Sequence, residues 1–212
     1  MTVTELIQLG GLCVAFYGLR TWRLQLIGKR RFEIAEETVV AAHKAGDDLI
    51  WMRHKGRDKD EADDRPRAPD EPERHERRLN SYYIPIKRAQ ASHDDFAALA
   101  KCSLLCSAYF GDAALAPFNV LLTHRDMIVA TAETLTLMTS SGGLDKLAPE
   151  QVEELESRIW GRGKGALDEL AMIRGAVAAI DALCRPALAL PDDIAAIKRA
   201  AAWLVERVKR GF

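Results

Sequence analysis

The sequence predicts an all-α protein, and three observations lead to this prediction. Apolar residues recur at three- and four-residue steps through most of the 212-residue chain. Glycines and prolines break these runs into segments of helical length. No segment shows the two-residue alternation that is typical of a strand. The predicted architecture is an N-terminal transmembrane helix followed by an antiparallel bundle of about five helices.

Composition narrows the class of protein before any motif is considered. Hydrophobic residues make up 48% of the chain and charged residues 29%, which excludes disorder along its whole length. The 30 Lys and Arg residues against 31 Asp and Glu residues argue against a globally basic, nucleic-acid-binding protein. Four cysteines are too few for a disulfide scaffold. We expect these cysteines to stay unpaired in a reducing compartment.

The first element, residues 1–31, is predicted to be a membrane anchor with a basic juxtamembrane segment. Residues 6–19 carry no charge, and extension to Trp22 gives a helix of 17 residues, about 25 Å long. The hydrocarbon core of a bilayer is about 30 Å thick, so the span requires local thinning or a snorkelling Arg20. The side chains expected in lipid are Leu6, Leu9, Leu12, Phe16, Leu19 and Trp22.

A basic cluster after the apolar run predicts the orientation of the span. No acidic residue interrupts this cluster, which consists of Arg20, Arg23, Lys29, Arg30 and Arg31. The positive-inside rule therefore places the bulk of a single-pass protein on the cytoplasmic side of the inner membrane. A cleavable signal peptide is disfavoured because its positive charge would precede the apolar run. A soluble helical protein with residues 6–22 as core remains an alternative.

A stripe of small residues suggests a second copy of the chain as a partner, in addition to the lipid bilayer. Gly11, Ala15 and Gly18 share one side of the predicted helix, so two spans could approach closely there. Self-association through these residues is therefore a hypothesis, alongside an unknown protein partner.

The second element is an amphipathic helix over residues 32–54, the first cytoplasmic helix. Its stripe includes Phe32, Ala35, Ala42 and Leu49. A helix tolerates Gly28 at a cost of about 1 kcal/mol, so this helix can continue the N-terminal one as a single rod.

Residues 55–80 are predicted to form a charged, disordered loop. Of the 24 positions from 55 to 78, 17 are Asp, Glu, Lys or Arg, and three are proline. Such a stretch has too little apolar surface to offset the entropy of ordering it. A solvated linker is favoured over a regulatory segment.

Residues 81–212 are predicted to form the rest of the bundle. Proline and glycine mark the boundaries of its helices. The predicted helices extend from near Pro85 to Phe110, with a stop at Gly111 and an N-cap at Asp112, from Ala113 to Met138, from Pro149 to Trp160, from Ala166 to about Arg185, and from a cap at Asp192 or Asp193 to Arg210.

The motif Thr-Trp-Arg-x-Gln-Leu-x-Gly-Lys at residues 21–29 follows the apolar run directly. It resembles a group of uncharacterised bacterial single-span membrane proteins, in which this motif precedes a helical hairpin with a charged insertion. Residues 109–112, Tyr-Phe-Gly-Asp, and residues 184–186, Cys-Arg-Pro, look similar as well. The resemblance implies a membrane anchor and a cytoplasmic helical domain, and it implies no activity or catalytic residues.

One constellation suggests an enzyme. All-α metal phosphohydrolases use an adjacent His-Asp pair around a divalent metal that activates water. The candidate ligands here are His93 and Asp94, with His124 or Asp126 after them and His43 or His54 before them. Neighbouring residues on a helix point about 100° apart, however, so an ordinary solvated helix face is favoured.

Three further patterns have weaker chemical interpretations. The glycine-rich run Gly161–Gly165 could cradle an anion, but it lacks the P-loop pattern and is favoured as a turn. Cys102 and Cys106 share a helix face and are favoured as buried apolar residues over metal ligands. The basic end of the last helix could contact an anionic leaflet, although cations also favour any helix C-terminus. Its cations are Lys198, Arg199, Arg207, Lys209 and Arg210.

The polar residues thus converge on no recurrent site pattern, and the sequence favours a non-enzymatic role over an enzymatic one. The expected function is a membrane-anchored helical scaffold or interaction protein with no cofactor and no nucleic-acid partner. The metal-dependent phosphohydrolase and the soluble helical protein remain its alternatives.

Overall fold

The structure is a computed structural model that describes residues 3–55, 61–69, 71–162 and 166–189, with the side chains of residues 3–10, 12–14 and 166 left out. Within these residues it contains helices and no strand, which confirms the predicted all-α class. The helices are α1 (Val3–Met52), α2 (Glu73–Ala91), α3 (His93–Phe110), α4 (Leu115–Ser140), α5 (Pro149–Trp160) and α6 (Ala166–Leu188), and two 3-10 turns lie at Asp112–Ala114 and Leu144–Lys146.

The chain divides into two units, one within Met1–Ala35 and Cys184–Phe212, the other Glu36–Leu183. Helix α1 is a single helix of 50 residues, as expected from the absence of a breaker other than Gly28. From Ile34 onward it buries a residue every three or four positions, including Ala35, Thr38, Ala42 and Leu49. Among the described residues, no helix combines the length and the apolar character that a bilayer crossing requires. The structure therefore does not confirm the predicted transmembrane helix.

Helix α2 begins at Glu73, well before the start predicted near Pro85. The boundary was misplaced because high charge hid a buried face, in which His75, Leu79 and Tyr82 recur at four- and three-residue steps. Pro85 consequently lies inside the helix, where it donates no backbone hydrogen bond.

The described part of the charged segment before α2 also differs from the predicted disordered loop. Residues 61–64 form a turn, and the side chains of Ala62 and Arg65 are buried. Arg65 is buried because a carboxylate and an amide oxygen bind its guanidinium, and such pairs are invisible to a count of apolar residues.

The later helix boundaries agree closely with the predicted breaks. Gly111 (φ 94°) ends α3, Gly142 (φ 69°) follows α4, and Gly161 (φ 56°) ends α5, and all three have the positive φ that favours glycine. Asp112 is not an N-cap as predicted. Its Oδ1 instead accepts a hydrogen bond from Ser107 Oγ at 2.6 Å.

Helix α4 is the centre of the bundle because it contacts α2, α3 and α5, and α2 most extensively. Its buried side chains include Phe118, Leu121, Ile128 and Leu135. Helix α6 continues past Pro186 to Leu188. The predicted last helix, from Asp192 or Asp193 to Arg210, lies outside the described residues.

Candidate functional site

The part of α1 between residues 16 and 32 exposes large apolar side chains. Their exposed fractions lie between 40% and 72%. They belong to Phe16, Tyr17, Leu19, Trp22, Leu24, Leu26, Ile27 and Phe32. Phe16, Leu19 and Trp22 were predicted to lie in lipid, whereas the side chains of Leu6, Leu9 and Leu12 are outside the description. The alternative in which residues 6–22 form part of a protein core would require Phe16, Leu19 and Trp22 to be buried, whereas these side chains are exposed.

The exposed apolar side chains point to all sides of α1. Successive residues of an α-helix are rotated by about 100°, so residues two positions apart lie on nearly opposite sides. Tyr17 and Leu19 are one such exposed pair, and Leu24 and Leu26 are another. The exposure therefore surrounds the helix, unlike that of an amphipathic surface helix, which has one apolar face.

Basic side chains follow and interleave with this apolar surface. Glu33 is 3.9 Å from Lys29 Nζ and 3.3 Å from Arg30 Nη1, so it pairs with two of the five predicted juxtamembrane cations. Arg20, Arg23 and Arg31 are exposed. None of these three has an ion-pair partner among the described residues.

The small-residue stripe is open. Gly11, Ala15 and Gly18 are exposed, and a Cβ added at either glycine would contact no atom within 4 Å. Self-association through this stripe stays a prediction.

The predicted metal ligands lie apart. His93 and Asp94 are exposed in the first turn of α3. His124 donates from Nδ1 to the carbonyl of Val120 at 2.9 Å, and exposed Asp126 accepts a hydrogen bond from Arg125. In the described part of the chain, no three His, Cys, Asp or Glu side chains are placed to hold a metal ion.

His43 and His54, the candidate ligands that precede His93 in the sequence, contact groups other than the predicted metal ligands. His43 Nε2 lies 3.1 Å from Asp181 Oδ2, at a cleft of about 340 Å³ between α1 and α6. Gly46 permits this close approach of the helices, because a Cβ there would lie 3.0 Å from Val177 Cγ2. The side chain of His54 is exposed, and its carbonyl accepts a hydrogen bond from Arg88.

Arg88 is the centre of the most extensive polar cluster, which the sequence analysis missed. Its guanidinium is buried and donates from Nη1 to the carbonyls of Trp51 (2.7 Å) and His54 (2.6 Å). It also binds both carboxylate oxygens of Glu61 and lies 5.1 Å from the centroid of the Trp51 ring. Arg88 therefore donates to carbonyls at and just beyond the C-terminal end of α1, where Trp51 O also accepts the backbone N–H of His54.

Two further buried arginines are held in the same manner. Arg65 donates to Asn80 Oδ1 at 2.7 Å and to both oxygens of Glu71. The hydrogen bond from Arg65 lowers the pKa of the Glu71 carboxyl below its usual 4.5. Arg53 binds Glu169 beside Gly161, where an added Cβ would lie 3.0 Å from Arg53 Nε.

Other titratable side chains of the bundle are perturbed by burial. The hydroxyl of Tyr82 donates to Glu156 Oε1 at 2.6 Å, and burial together with this carboxylate raises the pKa of the tyrosine. Burial, followed by the carboxylates of Asp95 and Asp47, raises the pKa of Asp48. A periodicity analysis gives no signal for such groups, because it counts only apolar residues.

A second cleft, of about 380 Å³, lies beside α5. Mostly buried Trp160 forms part of its wall, and Lys55 Nζ is 6.0 Å from the centroid of the Trp160 ring. The remaining lining is polar and mainly acidic: Glu150, Glu153, Glu154, Glu156, Ser157 and Arg162. The glycine-rich run begins at this edge, but residues 163–165 are outside the description.

The cysteines Cys102 and Cys106 are buried, as expected for small apolar side chains, and Cys184 is buried as well. Thr38 Oγ1 lies 3.4 Å from Cys106 Sγ. Burial raises the pKa of the Cys102 thiol, which disfavours the thiolate that binds metals.

Comparison of the chain with protein-family models, curated proteins and solved structures found no match. The resemblance of residues 21–29 to bacterial single-span proteins accordingly stays a prediction.

Proposed function

We propose that this chain is a membrane-attached helical scaffold or interaction protein, and that the N-terminal part of α1 is held in a lipid bilayer. One observation carries the proposal. Large apolar side chains between residues 16 and 32 are exposed on all sides of the helix.

Lipid is the environment that suits this surface. Moving one large apolar side chain out of water contributes roughly 1.5–3 kcal/mol, so several of them together contribute on the order of 10 kcal/mol. A partner protein with a single groove would cover only one side of the helix, whereas acyl chains surround it. Trp22 and the arginines beside it suit the boundary between acyl chains and headgroups.

The finer proposal is a single span over residues 6–22 with the bulk of the chain on the cytoplasmic side of the inner membrane. Its helix length of about 25 Å is short of the roughly 30 Å hydrocarbon core. Local thinning and a snorkelling Arg20 would make up the difference. The resemblance of residues 21–29 to single-span proteins agrees with this arrangement.

The scaffold role is supported by how the bundle uses its polar side chains. The buried guanidiniums of Arg53, Arg65 and Arg88 and the buried hydroxyl of Tyr82 all bind groups within the bundle. Their hydrogen bonds hold helices together and leave the outer faces for partners. Crosslinking in intact cells should recover a protein partner or a second copy, and recovery of neither would contradict this role.

Membrane attachment is tested with glutamates at two exposed leucines of α1. Cell fractionation and vesicle flotation should find wild-type protein with membranes and Leu19→Glu/Leu24→Glu protein in the soluble fraction. The matched control is Leu104→Glu/Leu137→Glu, since these leucines of the bundle are about equally exposed, at 71% and 70%. Equal loss of membrane binding in both variants, or none in either, would contradict the proposal.

Topology is tested with single cysteines in a Cys13→Ser background, because the other three cysteines are buried. A membrane-impermeant maleimide should label Thr2→Cys in intact cells. It should label Ala171→Cys, on the exposed side of α6, only after permeabilisation. Protection of both positions in intact cells would replace the span with insertion from the cytoplasmic side.

A further inference from the structure

We propose that Arg20, Arg23 and Arg31 bind the anionic headgroups of phospholipids. This inference rests on the membrane attachment proposed above and names the lipid class that it selects. The structure separates these three arginines from the other juxtamembrane cations. Lys29 and Arg30 both pair with Glu33, whereas the three arginines are exposed without an ion-pair partner in the described part of the chain.

The three arginines also share one side of α1. With a rotation of about 100° per residue, positions 20, 23 and 31 fall within a sector of about 80°. Lys29 lies about 180° from Arg20 on the same basis, on the opposite side. A modest tilt of the helix therefore brings all three guanidiniums towards one bilayer surface together.

Their spacing along the helix matches the depth of a headgroup layer and its ionic atmosphere. Arg23 lies about 4.5 Å and Arg31 about 16 Å beyond Arg20, from a rise of 1.5 Å per residue. The headgroup region of one leaflet is roughly 5–8 Å thick. The field of an anionic surface extends about 8–10 Å further at physiological salt. Guanidinium groups bind phosphate oxygens in a bidentate manner, which suits phospholipids.

The apolar residues between the arginines favour lipid as the source of the phosphate. Trp22 and Leu24 are 60% exposed and adjoin Arg23 on both sides. A bilayer surface offers acyl chains and phosphates within the same few ångströms, so it satisfies both kinds of side chain at once.

Vesicle flotation of the full chain tests this selectivity. The probes are vesicles of phosphatidylcholine alone and vesicles that also contain phosphatidylglycerol. A basic residue near an anionic surface contributes about 1 kcal/mol, so three residues should give a preference on the order of 100-fold for the anionic vesicles. Arg20→Gln/Arg23→Gln/Arg31→Gln should abolish that preference and retain binding to phosphatidylcholine.

Two control variants separate this site from net charge. Arg77→Gln/Arg162→Gln/Arg174→Gln removes the same charge at exposed positions of the bundle and should keep the preference. Lys29→Gln/Glu33→Gln removes both ion pairs of Glu33 without changing the net charge, and it should keep the preference as well.

Three outcomes would overturn the inference. They are equal wild-type binding to both vesicles, an unchanged preference in the α1 triple variant, and an equal loss in the bundle triple variant. Each of these leaves membrane attachment intact. Failure of the wild-type chain to bind either vesicle would instead refute the attachment, and the inference with it.

Discussion

The exposed part of α1 and the polar interior of the bundle place their side chains in opposite ways. Between residues 16 and 32 apolar side chains face outward, whereas Arg53, Arg65 and Arg88 are buried in the bundle. The difference lies in the partners available. Each buried guanidinium has carboxylate or carbonyl oxygens that replace water, whereas the apolar side chains of α1 between residues 16 and 32 are left exposed by the residues that the structure describes. Burial in this chain is therefore decided by local partners as much as by hydrophobicity.

The largest expected effect is the removal of the Arg88 guanidinium. Arg88→Ala removes the donor to the Glu61 carboxylate and the His54 carbonyl and one of two donors to the Trp51 carbonyl, so we expect a loss of about 3–5 kcal/mol in the free energy of unfolding. Urea unfolding of the full chain in mild detergent measures it. Exposed Arg77→Ala is the control and should cost less than about 0.5 kcal/mol. Equal stability of the two variants would show that the buried hydrogen bonds of Arg88 do not stabilise the bundle.

The next effect concerns the buried hydroxyl of Tyr82. Tyr82→Phe removes its hydrogen bond and leaves Glu156 without that donor, so we expect a loss of about 1–2 kcal/mol. Tyr83→Phe is a matched control one residue away, on a side chain that is only half-buried. A loss as large in Tyr83→Phe would show that the ring environment, and not the bond to Glu156, is responsible.

Lowering the pH should reduce the stability of the bundle through Glu71. The Arg65 hydrogen bond lowers the pKa of this carboxyl in the folded chain, so the folded state binds fewer protons than the unfolded state. The associated stability is present above pH 4.5 and is lost as the pH falls through the lowered pKa. Unfolding measured from neutral pH to about pH 3 should show a shallower acid-induced loss in Glu71→Gln than in the wild type.

Asp48 provides a control of opposite sign for this pH series. Burial raises its pKa, so its contribution declines as the pH rises through the raised value. Asp48→Asn should therefore be more stable than the wild type at neutral pH and lose that advantage in acid. If Asp48→Asn were less stable than the wild type at neutral pH, burial would not be the cause of the raised pKa.

The smallest expected effect on stability belongs to the exposed part of α1. Leu24→Ser/Leu26→Ser should change the free energy of unfolding of the bundle by less than about 0.5 kcal/mol, because both side chains are exposed. Fully buried Leu99→Ala, in contrast, should cost about 2–5 kcal/mol. A large loss from the serine variant would show that these leucines pack within the protein.

The sequence predicted those features that depend on apolar spacing and on glycine. The ends of α3 and α5 at Gly111 and Gly161 follow from a positive φ that glycine adopts most readily. The continuity of α1 follows from the lack of a breaker stronger than Gly28.

The features that were not predicted depend on pairs of polar groups far apart in sequence. Glu61 and Arg88 are separated by 27 positions, and neither is distinguishable in sequence from its charged neighbours. The start of α2 was detectable from the spacing of His75, Leu79 and Tyr82, but the surrounding charge concealed it. The sequence predicted a juxtamembrane cluster of five cations, and only the position of Glu33 shows which two of them are paired.

The Arg88 cluster has a consequence for how the chain could be divided. Arg88 of α2 binds both the carbonyls of Trp51 and His54, at the end of α1, and the carboxylate of Glu61, which follows residues 55–60 in the sequence. These noncovalent bonds join the segments before and after this stretch independently of the peptide backbone. Two separately expressed fragments that meet between residues 55 and 61 should consequently reassemble through the contacts of Arg88.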